Sequence, residues 1–249
     1  GERHHIPVYL HQHQFVAPCC PKPILTTKLP YMTLIGALLC RNEAAPDRYL
    51  KLVLDNMLRY CDSVVAWDDS SEDDTRAVLE SAGVEIASPR GAQRAGEGFW
   101  GHDEVAPRAG LWEAATKVAG PDGWIYVADA DHELVGITPS ELRACCTTRI
   151  VTAWVMPLWD CWVPDGTAMR VDNMWQAHNH PRPWLFKVPP ANFVPYWGER
   201  KEIHVGHYPH NLPLTCGVLP GAAIRHWGYS KQHHREEKCR RYLRLNSPT

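Results

Sequence analysis

No run of 18 or more apolar residues occurs in the 249-residue chain, so nothing in it reads as a membrane-spanning helix. Neither charge is in excess. The 26 lysines and arginines against 28 aspartates and glutamates leave a formal charge of -2, which gives no overall basic field for nucleic acid or an anionic membrane. That balance leaves room for a local basic patch, and the C-terminal KQHHREEKCRRYLR could form one. The nine cysteines contain no CxxC, are odd in number and include the adjacent pairs Cys19-Cys20 and Cys145-Cys146. This argues for the reduced thiols of a cytoplasmic protein rather than a disulfide framework or a zinc ribbon. The first residues lack the charged, then apolar, then small-residue order of a signal peptide. Residues 1–30, rich in His, Pro and Gln, are expected to form an extended arm or the remnant of a preceding segment. There is no internal repeat.

What the chain does have is an alternation of short apolar runs with helical stripes. MTLIGALLC (32–40) is a continuous apolar run of strand length, as expected of a parallel strand covered on both faces. DRYLKLVLDNMLRYC (47–61) places Leu50, Val53, Leu54, Met57 and Leu58 on one helical face. SVVAW (63–67) is a second strand, after which Ser71 or Asp73 can cap a helix running to about Ser81, with Gly83 as its stop. VEIAS (84–88) is a third strand, 104–120 a helix ending at Gly120-Pro121, and GWIYVA (123–128) a fourth strand. Strand and helix in repeated turn predict a doubly wound α/β sheet with right-handed crossovers. Ligands of such sheets bind beyond the carboxyl ends of the strands. CRNE, DDSS and DAD follow three of the strands, so the polar residues gather where that architecture places a site. After Ile150 the periodicity loosens: VTAWVMPLW is strand-like, and AIRHWGYS and a charged helix end the chain. Six of the eleven tryptophans (Trp154, Trp159, Trp162, Trp175, Trp184, Trp197) lie between residues 150 and 200, where they could fill a core or stack on a sugar or base.

In WIYVADADHEL (124–134) the fourth strand runs into Asp129 and Asp131. Two carboxylates at i and i+2 could hold Mn2+ or Mg2+, which take oxygen ligands and let phosphates and water complete the shell. The alternative is a solvated acidic turn that caps the next segment.

Four segments together resemble the family-2 glycosyltransferases of GT-A fold. VVAWDDSSEDDT is similar to that family's VVVVDDGSTDGT-type segment. LLCRNE stands at its first nucleotide-contacting loop. PRAGLWEAAT is similar to its ARN-x-G-hydrophobic helix, with Ala109 where Asn is usual, and WIYVADADHEL to its DxD strand. The resemblance covers about residues 31–135. It implies a single GT-A domain over 31–249, with a nucleotide-sugar half (31–135) and an irregular acceptor-side half (136–249). It further implies that Arg41, Asn42, Glu43, Asp68 and Asp69 contact the base and ribose of a UDP- or GDP-sugar. Arg108 would approach the diphosphate or sugar, Asp129 the ribose or sugar, and Asp131 the metal. IRHWGYSKQHH resembles the family's late H-x-G-Y element, which implies His226 as a further metal ligand.

An inverting transferase needs a carboxylate base for the acceptor hydroxyl. PRPWLFKVPPANFVPYWGERKEIH resembles the family's R-L-F-R…HE stretch, but the order here is Glu202-Ile203-His204. The candidates are Glu202, then Glu199, then Asp160, and the departure leaves inversion or retention open. The acceptor could be a saccharide, a protein or a modified nucleobase. In the last case Lys231, Arg235, Lys238, Arg240, Arg241 and Arg244 could follow phosphates, although the interspersed Glu236 and Glu237 suggest a solvated face. Three other readings compete. His204, His207 and His210, spaced three apart, could hold zinc in a hydrolase, but Pro209 and Pro213 oppose a regular helix there. A nucleotidyltransferase would carry a Gly-rich basic loop where CRNEAAPDR stands. A catalytically inactive GT-A module would bind sugar without turning it over.

Overall fold

LIGALLC forms β1 (Leu34–Cys40), buried along its whole length, and a strand so apolar needs cover on both faces. The computed structural model describes residues 32–89, 103–172, 175–198 and 206–245. β1 is followed by α1 (Leu50–Tyr60), whose Leu50, Val53, Leu54 and Met57 are buried. Leu58 is 40% exposed: at 100° per residue it lies roughly 90° round the helix from the centre of that stripe. β2 (Ser63–Asp68), α2 (Thr75–Ser81), β3 (Glu85–Ile86), α3 (Val105–Ala119) and β4 (Trp124–Asp129) continue the alternation. The start of α2 is held by Asp73, whose Oδ1 accepts the Thr75 amide at 3.0 Å. Gly83 and Gly120, at φ +70° and +69°, end α2 and α3 as the sequence predicts.

Then come β5 (His132–Val135), α4 (Pro139–Cys145), β6 (Ala153–Met156), β7 (Leu158–Asp160), β8 (Arg182–Lys187), β9 (Cys216–Val218), β10 (Ala223–His226) and α5 (Gln232–Leu245). Single 3-10 turns lie at Ala177–Asn179 and Trp227–Tyr229. VTAWVMPLW does not make one strand. Pro157 lacks an amide for the ladder, and the segment divides there into β6 and β7, which join different sheets.

The main sheet is seven-stranded and mostly parallel, in the order β3-β2-β1-β4-β8-β6-β9. β3, β2, β1 and β4 run parallel, and β8 is antiparallel to both β4 and β6. One face packs on α1, α2 and α4 through residues such as Met57, Leu79 and Leu142, the other on α3 through Leu111, Trp112 and Ala115. α3 approaches β2 so closely that a Cβ on Gly110 would stand 2.2 Å from the Trp67 ring. Trp184 and Trp197 are core residues, which accounts for part of the tryptophan-rich stretch. Among the described residues no helix is long and apolar enough to cross a membrane.

A second, three-stranded sheet has the order β5-β10-β7. Its Leu134, Leu158 and Ile224 enter the same apolar cluster as α1. The β1 register sets Leu39 opposite both Trp67 and Asp129, and Cys40 opposite Asp68. The ends of three parallel strands therefore coincide, and their loops open together.

Candidate functional site

Beyond those strand ends lies a cleft of about 770 Å³, lined among others by Arg41, Glu43, Asp69, Arg108, Asp129, Asp131, Asp160, Trp175, His226 and Lys238. The second sheet assembles one wall of it. β10 pairs antiparallel with β5, setting His226 opposite His132, and parallel with β7, setting His226 opposite Asp160. Residues far apart in the chain thus stand in one row. The Trp227 amide donates to the Asp131 carbonyl at 2.8 Å, which fixes the backbone of Asp131 beside that row.

Asp160 aligns His226. Its Oδ1 lies 2.5 Å from His226 Nδ1, and its Oδ2 accepts the Trp175 indole N–H at 2.5 Å. With Nδ1–H given to a carboxylate, the lone pair of the neutral imidazole is on Nε2. Nε2 stands 3.1 Å from Asp131 Oδ2. The family resemblance pairs these two residues across 95 positions, and the fold brings the two atoms together. Two atoms each about 2.1 Å from an octahedral ion and at right angles to it are about 3.0 Å apart, so the pair fits a divalent cation. Lys238, from α5, reaches the same two atoms, at 3.2 Å from Asp131 Oδ2 and 3.0 Å from His226 Nε2. Against the cost of burial, the Lys238 ammonium first and then His226 hold the Asp131 carboxyl well below the usual carboxylate range. Burial and the Lys238 charge push the His226 imidazole down, and Asp131 and Asp160 outweigh them and raise it. A charged lysine can only donate, however, so the 3.0 Å contact fits the neutral imidazole.

Asp129 is bound differently. Arg108 Nη1 donates to its Oδ1 at 2.7 Å while Nη2 pairs with Glu104 at 3.0 Å, all from within α3 and its cap. His207 Nε2 lies 3.4 Å from Asp129 Oδ2. Burial would raise the Asp129 carboxyl, but Arg108 and then His207 hold it well below its ordinary value. Arg108 is 4% exposed, so its geometry serves to hold Asp129. His132 accepts the Asp129 amide at Nδ1 (3.1 Å), which puts its proton on Nε2. Burial pushes this imidazole down to about 3, over the opposing pull of Asp131 and Asp129. His132 is a neutral brace between the two aspartates and offers no free lone pair to an ion.

The nucleotide candidates are laced into two loops. Asn42, at φ +53°, donates its amide to Ser71 Oγ at 2.9 Å and accepts the Glu72 amide at 2.8 Å. Asp69 lines the cleft, 3.7 Å from Arg41. Asp68 is turned away from it: Oδ1 accepts the Ser71 amide at 3.1 Å and Oδ2 faces Arg76 at 3.8 Å. Glu43 lines the cleft, and burial, followed by repulsion from Asp131, raises its carboxyl to about 8. A carboxyl raised on folding stabilises the protein below its unfolded value near 4.5, and that stability is lost as the pH rises through about 8. Glu43→Gln should therefore lose less melting temperature than the wild type between about pH 6 and about pH 9, as scanning calorimetry would show.

Glu199, Glu202 and His204 lie outside the described residues. The other histidines of the zinc alternative do not converge: His207 faces Asp129, and His210 lies edge-on to Tyr196 at 6.4 Å. At the start of the C-terminal helix three basic side chains are engaged within the protein. Lys231 donates to the Asp47 carbonyl at 2.6 Å, Arg235 to the Tyr229 carbonyl at 2.6 Å, and Lys238 points into the cleft. Sequence reasoning left His132 and Glu104 unmentioned as lining residues, and weighed Lys238 only as a phosphate contact and His207 only as a zinc ligand. His132 stood inside the quoted strand end, whereas nothing local marks Lys238 among its charged neighbours.

No family model and no curated protein matches the chain. Among solved structures it is similar to S. aureus TarS, at 16% identity and a TM-score of 0.39 over 52% of this chain and 22% of that one. TarS 1–349 in complex with UDP gives 17% identity and 0.39, over 52% of this chain and 36% of that one. Glucosyl-3-phosphoglycerate synthase from Mycobacterium tuberculosis, in complex with Mn2+, UDP and glucosyl-3-phosphoglycerate, gives 18% and 0.33, over 52% and 44%. In each case the match spans less than half of the other protein, and likenesses of this size assign no activity to the chain.

Proposed function

We propose that the protein is a divalent-cation-dependent glycosyltransferase that moves a sugar from a nucleoside diphosphate to an acceptor hydroxyl. The observation that carries this reading is the meeting of Asp131 Oδ2 and His226 Nε2 at 3.1 Å, with Asp160 setting the tautomer, at the carboxyl edge of a parallel sheet. Asp131 and His226 would hold Mn2+ or Mg2+. When bound, the cation supplies positive charge to the diphosphate leaving group. Arg41, Glu43 and Asp69, on the rim made by the ends of β1 and β2, are suited to the nucleoside. Asp129, kept ionised by Arg108, can accept hydrogen bonds from ribose or sugar hydroxyls. In the transfer, the acceptor oxygen bonds to the anomeric carbon while the bond from that carbon to the diphosphate oxygen breaks, and the hydroxyl proton passes to a carboxylate base, for which Glu202 and then Glu199 are the candidates. Asp160, the described candidate for the base, has both oxygens committed to His226 and Trp175, and we assign it the positioning of His226.

Asp160→Asn tests that assignment. It should weaken Mn2+ affinity about 10- to 100-fold, as read by calorimetric titration. Unaltered Mn2+ affinity would remove Asp160 from the site.

A further inference from the structure

The cleft carries its own cation. Lys238 Nζ lies 3.2 Å from Asp131 Oδ2 and 3.0 Å from His226 Nε2, the two atoms to which the preceding reading gives a divalent ion. An ammonium and a metal ion draw on the same lone pairs, so each excludes the other. The lysine is not there by slack in its helix. α5 is fixed at its start by Lys231 on the Asp47 carbonyl (2.6 Å) and by His233 Nε2 on Asp47 Oδ2 (2.7 Å), and one residue before Lys238 by Glu237 on Arg48 (2.8 Å). The Tyr229 ring lies 4.4 Å from Nζ and gives the cation a further favourable face. Gly228 completes the enclosure: a Cβ there would stand 2.2 Å from both Asp131 Oδ2 and Lys238 Nζ.

We propose that Lys238 is a tethered counter-cation which occupies the divalent-ion position between Asp131 and His226 and must withdraw when the ion enters with its nucleoside diphosphate. The inference rests on the transferase reading of this site. The four-carbon stem lets the ammonium leave while the helix stays anchored. An expelled ammonium at the mouth of a partly buried cleft needs a new anion, and the incoming diphosphate supplies one. Metal and nucleotide then bind with positive coupling, because each lowers the cost of the other. Without Lys238 the ion meets an open Asp131–His226 pair, and most of that coupling is lost.

The test is a Mn2+ titration by electron paramagnetic resonance, with and without UDP or GDP, on the wild type, Lys238→Met, Lys238→Gln and Asp131→Asn. Both Lys238 variants should bind Mn2+ alone at least about tenfold more tightly than the wild type, and nucleotide should improve their Mn2+ affinity at least about tenfold less. Two different side chains guard against one variant that folds poorly. Mn2+ binding that depends on Asp131 but is equal or weaker in both Lys238 variants would overturn the tethered cation and leave the metal site standing. Mn2+ binding indifferent to Asp131 in every protein would overturn both.

Discussion

Asp131→Asn is expected to lower the melting temperature of the metal-free protein rather than raise it. In an ordinary metal site, carboxylates gathered without their ion repel, and neutralising one relieves the strain. Asp129 and Glu43 do stand near Asp131 in the cleft. Here, however, Asp131 already faces Lys238 at 3.2 Å and His226 at 3.1 Å, and these hold its carboxyl well below the ordinary range despite burial. The variant leaves the lysine without its carboxylate in a mostly buried place. Removing one partner of such a pair costs about 1–3 kcal/mol once partial exposure is allowed for, a loss of several degrees in a chain of this length. A carboxyl lowered on folding stabilises the protein above its unfolded value and ceases to do so as the pH falls toward the folded one. The deficit should therefore be complete at neutral pH and fade below about pH 4. Mn2+, which should raise the melting temperature of the wild type, should leave that of the variant unchanged. A metal-free variant more stable than the wild type would mean that Lys238 is not the partner of Asp131.

Gly228→Ala is expected to close the site without unfolding the protein. Gly228 does not adopt the left-handed conformation of Gly83 or Gly120, so alanine meets no backbone strain there. The obstacle is a methyl group 2.2 Å from Asp131 Oδ2 and Lys238 Nζ and 2.9 Å from His226 Nε2. The lysine tip can give way. His226 is held by Asp160 and by the β10 ladder, so its Nε2 cannot retreat, and the Asp131 carboxylate can turn only about a peptide fixed by Trp227. The methyl group then lies across the approach to both of them. Overpacking of this kind costs about 1–3 kcal/mol, while Mn2+ affinity should fall by about 100-fold. Circular dichroism of the folded variant together with its Mn2+ titration checks both parts. Wild-type Mn2+ affinity in a folded Gly228→Ala protein would place the ion elsewhere.

The first half of the chain was legible because its signals are local. The run LIGALLC, the stripe of α1 and the glycines after α2 and α3 each state their element within a few residues, and β1, β2 and β4 must then end together. Asp129 and Asp131 could be placed at a strand end for the same reason. The second half was not legible, because what organises it is pairing over long separations. Pro157 divides an apolar run between two sheets, and β10 finds β5 and β7 at distances that no periodicity encodes. Asp160 illustrates the loss. Read as a carboxylate within a Trp-rich loop it was a candidate base, and only the β7–β10 register reveals that it faces His226. Lys238 was hidden in another way, since in KQHHREEKCRRYLR it is one basic residue among many, and its direction follows from the anchoring of α5 on Asp47 and Arg48. Arg108 was found for its pattern, and its burial between Asp129 and Glu104 gives it a supporting part.

The most direct measurement is the calorimetric titration of UDP and GDP into the wild type and Asp131→Asn, each with and without Mn2+. A glycosyl-donor site predicts that one nucleotide binds the wild type in a manner requiring Mn2+, and that neither shows Mn2+-dependent binding to the variant. Binding indifferent to Mn2+ and to Asp131, or no binding of either nucleotide, would contradict a donor-metal site at Asp131 and His226.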